Sequence, residues 1–121
     1  MGGLMAVYGI VKHNRWFSKG ACISSAIGAC MDDLMEDILL CPISPDTRAY
    51  LSWGTREAHG VQDEWTVDRS SRTYHQNRRV AEALGERGAR ARLHCQVGGG
   101  HCEADWEKLV PEFMDFLWLD R

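Results

Sequence analysis

Two residues in this chain stand where side chains can do chemistry, Glu57 and His101. Glu57 follows Gly54-Thr55-Arg56 and His101 follows Gly98-Gly99-Gly100, so each polar group comes straight after backbone that can turn sharply. A carboxylate bonded to an imidazole holds it in one tautomer and steadies its charged form, which is two thirds of a nucleophilic triad. The missing third is a serine or a cysteine. Asp63, Glu64 and Asp68 share the loop with Glu57 and are rival acids, but the Gly-Thr-x-Glu placement favours Glu57. Ser24 and Ser25, just after the first strand-like run, are candidates to line a substrate site, although serines at a strand end more often serve only the local turn. Neither has the Gly-x-Ser-x-Gly setting of a nucleophile. Trp65 is a candidate substrate contact, balanced against a role as a loop anchor folded onto the domain.

Other constellations are weaker. His94-Cys95 with His101-Cys102 has the residue types of a zinc site, yet adjacent strand residues point to opposite faces and no Cys-x-x-Cys pair supports it. No metal and no other cofactor is expected. Gly98 to Gly100 lacks the Gly-Lys-Ser/Thr ending of a phosphate loop. Arg69, Arg72, Arg78, Arg79, Arg87, Arg90 and Arg92 gather around one helix and read as a solvated face offset by Glu82 and Glu86.

The elements that must position Glu57 and His101 follow from periodicity, and their order is αβαβαβα. Leu4 to Val11 is apolar nearly all round, as in an interior helix. Lys19 to Ile27 is a mostly uncharged run suited to a strand covered on both faces. Asp32 to Leu40 is a short helix stopped by Pro42 and Pro45. Ala49 to Trp53 is the second strand, and the long polar loop after it, Thr55 to Arg69, is a place to seek function. A helix starts at the Ser70-Ser71 cap and stops near Gly88; Leu93 to Val97 is the third strand. In the last helix Trp106, Leu109, Val110, Phe113 and Leu117 share a face, and Pro111 should kink it or divide it. Strands separated by helices imply right-handed βαβ units, hence an α/β fold of three layers with about three parallel strands flanked by helices. Ligands then bind beyond the carboxyl ends of the strands, where Glu57 and His101 lie.

Several motifs, taken in order, carry a resemblance. Met1-Gly2-Gly3-Leu4-Met5-Ala6 looks like the second half of a Gly-x-Ser-x-Gly-Gly nucleophile elbow. Ser24-Ser25, Tyr50-Leu51-Ser52-Trp53-Gly54-Thr55-Arg56-Glu57, Gly100-His101-Cys102-Glu103-Ala104-Asp105-Trp106 and the closing Leu-Val-Pro-Glu-Phe-Met helix follow it. Over nearly its whole length the chain resembles the C-terminal half of the enterochelin-esterase-like, or esterase D type, branch of the α/β-hydrolase superfamily. The resemblance implies a partial α/β-hydrolase domain and a serine hydrolase of carboxylic esters, with Glu57 as acid and His101 as general base and acid. It also implies that the serine precedes Met1, that the Met1 amide belongs to the oxyanion hole, and that the chain alone is inactive for want of its nucleophile. At ~30 residues per βαβ unit, 121 residues supply about three strands of the eight in such an enzyme. Acyl transfer would use the same residues. The rival reading is a non-catalytic αβ domain that binds a partner or itself through the bare strand edge at residues 21–26.

Composition bounds these readings. A chain of 121 residues is one domain, and 45% apolar with 26% charged residues is globular. A net charge of −3 gives no broad positive field, so no nucleic-acid partner is expected. The apolar stretch at 4–11 is far short of the ~20 residues that span a bilayer, so no membrane association is expected. With no leader-like start and five cysteines that do not suggest a disulfide scaffold, the expected setting is cytoplasmic and the expected ligand a small-molecule ester.

Overall fold

A computed structural model of the chain describes residues 1–59 and 63–119. Three strands, β1 (Lys19–Ile23), β2 (Arg48–Gly54) and β3 (Arg90–Gln96), form one parallel sheet in the order β1-β2-β3. Helices α1 (Gly2–Lys12), α2 (Met31–Leu40) and α3 (Arg72–Glu86) alternate with them, and α4 (Glu103–Glu107) and α5 (Val110–Met114) follow β3. The architecture is the expected three-layer α/β fold.

β2 shows why both faces of the sheet must be covered. Its residues alternate sides, so Ala49 and Leu51 join a core with Val7, Ile10 and Val11 of α1, Ile38 of α2 and Val80 and Leu84 of α3. Tyr50, between them, points the other way, into Phe113, Phe116 and Leu117 of the C-terminal helical segment. Its ring lies 5.9 Å from Phe113 and 6.4 Å from Phe116, and its hydroxyl donates to Glu112 at 2.9 Å. Burial, with the Glu112 carboxylate next, pushes the Tyr50 phenol above its usual range. One buried polar residue pins two segments together. Asn14 donates to the Ile10 carbonyl and to Thr47 Oγ1, each at 2.8 Å, and accepts from the Ser44 amide, tying the end of α1 to the loop that enters β2.

Strand boundaries differ from expectation, β3 starting at Arg90 and not at Leu93. The first strand ends at Ile23, not Ile27, because Ser24 takes a positive φ of 51° and turns the chain into a 3-10 turn at Ile27–Ala29. The last helix is divided at Pro111, one of the two outcomes expected there, since Pro111 sits in the first turn of α5, where its missing amide hydrogen breaks no bond. A wider π turn, Asp115–Leu119, prolongs α5 and carries Phe116 and Leu117 to Tyr50. Ser71 caps α3 through the Tyr74 amide, and Gly88, with φ of 91°, follows its end. Among the described residues no helix is long and apolar enough to cross a membrane.

Candidate active site

The carboxyl ends of all three strands converge on one constellation. β2 runs into the turn Gly54-Thr55-Arg56-Glu57, and β3 into the glycine turn that precedes His101. Backbone bonds sew the two turns together: the Thr55 amide donates to the Gln96 carbonyl and the Arg56 amide to the Gly99 carbonyl, each at 3.0 Å. Such close approach needs glycine at position 54, where a Cβ would stand 2.0 Å from the Gly99 oxygen. Buried Thr55 adds a side-chain link by accepting from the Gly98 amide at 2.8 Å. The positions of Glu57 and His101 are therefore set by one interlocked pair of turns.

Glu57 is the acid beside His101, its Oε2 lying 3.2 Å from the imidazole Nδ1. A carboxylate can only accept, so Nδ1 carries a proton, and in the neutral imidazole Nε2 then keeps its lone pair. Among the described residues Nε2 has no hydrogen-bond partner. The other carboxylate oxygen, Oε1, accepts from the Ser24 hydroxyl at 2.5 Å and from the Gly54 amide at 3.2 Å. With its side chain only 14% exposed, Glu57 has little freedom to turn away from the histidine, which is itself 63% exposed. Of the acids in this loop Glu57 is the one paired with His101, while Asp63 accepts from the Trp65 amide, Asp68 caps Ser70, and Glu64 is exposed.

Trp106 closes the circuit. Its indole Nε1 donates to Ser24 Oγ at 3.0 Å, while its ring meets the His101 ring edge-on at a centroid distance of 4.9 Å. Ser24 therefore accepts from the indole and passes its own proton toward Glu57, and the same indole walls the imidazole. Sequence spacing places Trp106 on the shared apolar face of the last helix and misses this role. Its only sequence signal was its place five residues after His101.

Asp105 fixes the other flank of the histidine turn. Its Oδ2 accepts from the Gly100 amide at 2.9 Å and from the Cys102 thiol at 3.2 Å, and Lys108 lies 3.3 Å from Oδ1. The Gly100 amide, then the Cys102 thiol and Lys108, hold this carboxyl down to about 2. Cys95, beneath the site, is pushed up to about 11 by burial and by the Glu57 charge, which leaves it a protonated, weak nucleophile at neutral pH. Cys22, wholly buried, is pushed up to about 12.

Two clefts meet at this constellation, and Ser24 and His101 line both. One, of about 250 Å³, opens at the start of α1 against Met1, Gly2, Gly3 and Trp106. The other, of about 400 Å³, runs from Glu57 and Trp53 to the first turns of α3. Ser25 lies under α1, where a Cβ on Gly3 would stand 2.6 Å from its Oγ, and that oxygen is buried with no hydrogen-bond partner among the described residues. Of the candidates from sequence, Glu57, His101, Ser24, Ser25 and Met1 come together around the two clefts. Trp65 lines neither: it packs over Gly98 with the Arg56 guanidinium 5.3 Å from its ring. His94 and Cys95 separate across the sheet, His94 stacking on Tyr50 and pairing with Glu112 at 3.3 Å. Comparison of the chain with protein-family models, with curated proteins and with solved structures finds no match in any of the three.

Proposed function

We propose that this chain supplies the histidine and the acid of a serine hydrolase acting on carboxylic esters, the serine standing just ahead of Met1. The observation that carries the reading is the Glu57–His101 contact, which leaves Nε2 able to accept a proton beside a cleft at the start of α1. In the proposed reaction Nε2 takes the serine proton as the oxygen attacks the ester carbonyl. The imidazolium then returns that proton to the departing alkoxide, and the acyl group stays on the serine. Water, activated by the same nitrogen, releases the acid; another alcohol in its place would make the reaction an acyl transfer. Glu57 balances the transient positive charge throughout. The oxyanion would sit at the start of α1, with the Met1 amide as one donor, where the helix dipole favours negative charge. The setting proposed is the reducing cytoplasm, in which the five thiols stay free.

The test is to read the DNA immediately upstream of the Met1 codon in frame and express the extended chain. An open frame entering Met1 as Gly-x-Ser, with ester hydrolysis that falls by at least ~10³-fold in His101→Ala, is the expected result. A stop codon at that junction, or unchanged hydrolysis in His101→Ala, would overturn it.

A second reading has its own observation. Met1, Met5 and Tyr8 form an exposed stripe along α1, Trp16 and Phe17 are exposed just after it, and β1 is an edge of the sheet. An apolar stripe next to an open strand edge suits pairing with a second copy of this chain and no catalysis. A monomer at micromolar concentration in analytical ultracentrifugation would count against self-association.

A further inference from the structure

The larger cleft has a wall chemistry that the hydrolytic machinery does not use. Arg72, Thr73, Gln76 and Asn77 lie on one face of the first turns of α3 and line it opposite Trp53, while Glu57 and His101 stand at its near end. Arg72 is exposed and, among the described residues, has no carboxylate within ion-pair distance, unlike Arg78, which is held by Glu82 at 2.8 Å. Asn77 is only 2% exposed, yet among the described residues its Oδ1 has no hydrogen-bond partner. Its orientation is dictated locally, because the Nδ2 group donates to the Thr73 carbonyl at 2.9 Å and a carbonyl cannot be donated to by Oδ1. Buried amide oxygens are nearly always satisfied, so an orphan beside a cleft points to a donor that arrives with a ligand. His59 is tied to the start of α3: its amide donates to Thr73 Oγ1 at 2.9 Å and its carbonyl accepts from the Arg72 amide at 3.1 Å. The wall is thus built before a ligand enters.

We propose that this cleft is a binding subsite for a carboxylate that carries a hydroxyl on the neighbouring carbon, with Arg72 meeting the charge and Asn77 Oδ1 accepting from the hydroxyl. An anion needs a cation not already neutralised, and guanidinium matches carboxylate geometry. Gln76 supplies a further donor, and Trp53 and the small residues of the 3-10 turn bound the apolar part of the ligand. In an ester hydrolase the subsite would select substrates whose acyl or alcohol part is a hydroxy acid; that selectivity rests on the functional reading above, whereas the binding itself does not.

The experiment is an NMR titration of the chain with three probes: lactate, propionate, which lacks the hydroxyl, and methyl lactate, which lacks the charge. The side-chain signals of Arg72, Gln76 and Asn77 are followed, and the His101 ring nitrogens are recorded in the same samples. Lactate is expected to shift the three side chains saturably, with propionate and methyl lactate each weaker by ~10-fold and Arg72→Gln weakening lactate by a similar factor. Equal response to all three probes, no saturable response, or lactate binding unchanged in Arg72→Gln would overturn the subsite. A failed subsite with His101 still protonated on Nδ1 leaves the hydrolase reading standing, and a bound lactate with the other tautomer does the reverse.

Discussion

At the scale of single residues, the site is a ring of four side chains in which each member limits the next. Trp106 fixes Ser24, Ser24 and the Gly54 amide fix Glu57, and Glu57 fixes the tautomer of His101. Ser24 and Trp106 act through Glu57 and are positioning residues. In the extended hydrolase proposed above, Ser24→Ala is predicted to lower kcat by ~10-fold with KM little changed, because Glu57 keeps its contact to the Gly54 amide. Trp106→Phe keeps the ring against His101 but removes the donor, and is predicted to fall between wild type and Ser24→Ala. Equal losses in kcat and rises in KM for both would mean damage to the fold instead. Glu57 and His101 were legible from sequence because each follows glycine-marked turns at a strand end. Ser24 and Trp106 were not legible as partners: they lie 82 positions apart, and only the docking of α4 against the end of β1 brings them together.

At the scale of elements, two turns and one short helix hold the histidine. Asp105, in the first turn of α4, ties that helix to Gly100, and its depressed pKa makes the tie sensitive to acid. The carboxyl sits at about 2 in the fold against an ordinary 3.8, so between those values the unfolded chain binds more protons. Its contribution to stability is therefore complete above about pH 4 and is lost as pH falls toward 2. Acid titration followed by the Trp106 signals should show this loosening, and Asp105→Asn should flatten the response across that window. A variant that responds like the wild type would mean that Asp105 does not hold the histidine turn. Periodicity predicted the helices and strands because their apolar faces repeat. It misplaced the end of β1 because a positive φ at Ser24 is a backbone event that no apolar pattern encodes. Pro111 did announce the break between α4 and α5, since its ring forbids a continuous helix.

At the scale of the whole molecule, the sheet is a platform clamped from both sides, with Leu51 facing the helices α1 to α3 and Tyr50 facing the C-terminal segment. Leu51→Ala is predicted to cost ~2–5 kcal/mol, read as a lowered urea midpoint at constant m-value, because the buried site is walled by three helices and cannot collapse freely. Both ends of the proposed chemistry hang on this platform: the start of α1 on one side, and the turns after β2 and β3 on the other. The direct measurement of the Glu57–His101 pairing is the tautomer of His101, read from the ¹⁵N shifts of its ring at neutral pH. The predicted result is a proton on Nδ1 with Nε2 bare, reverting in Glu57→Ala to the Nε2-protonated form that free imidazole side chains favour. A proton on Nε2 in the wild type, or the same tautomer with and without Glu57, would contradict it.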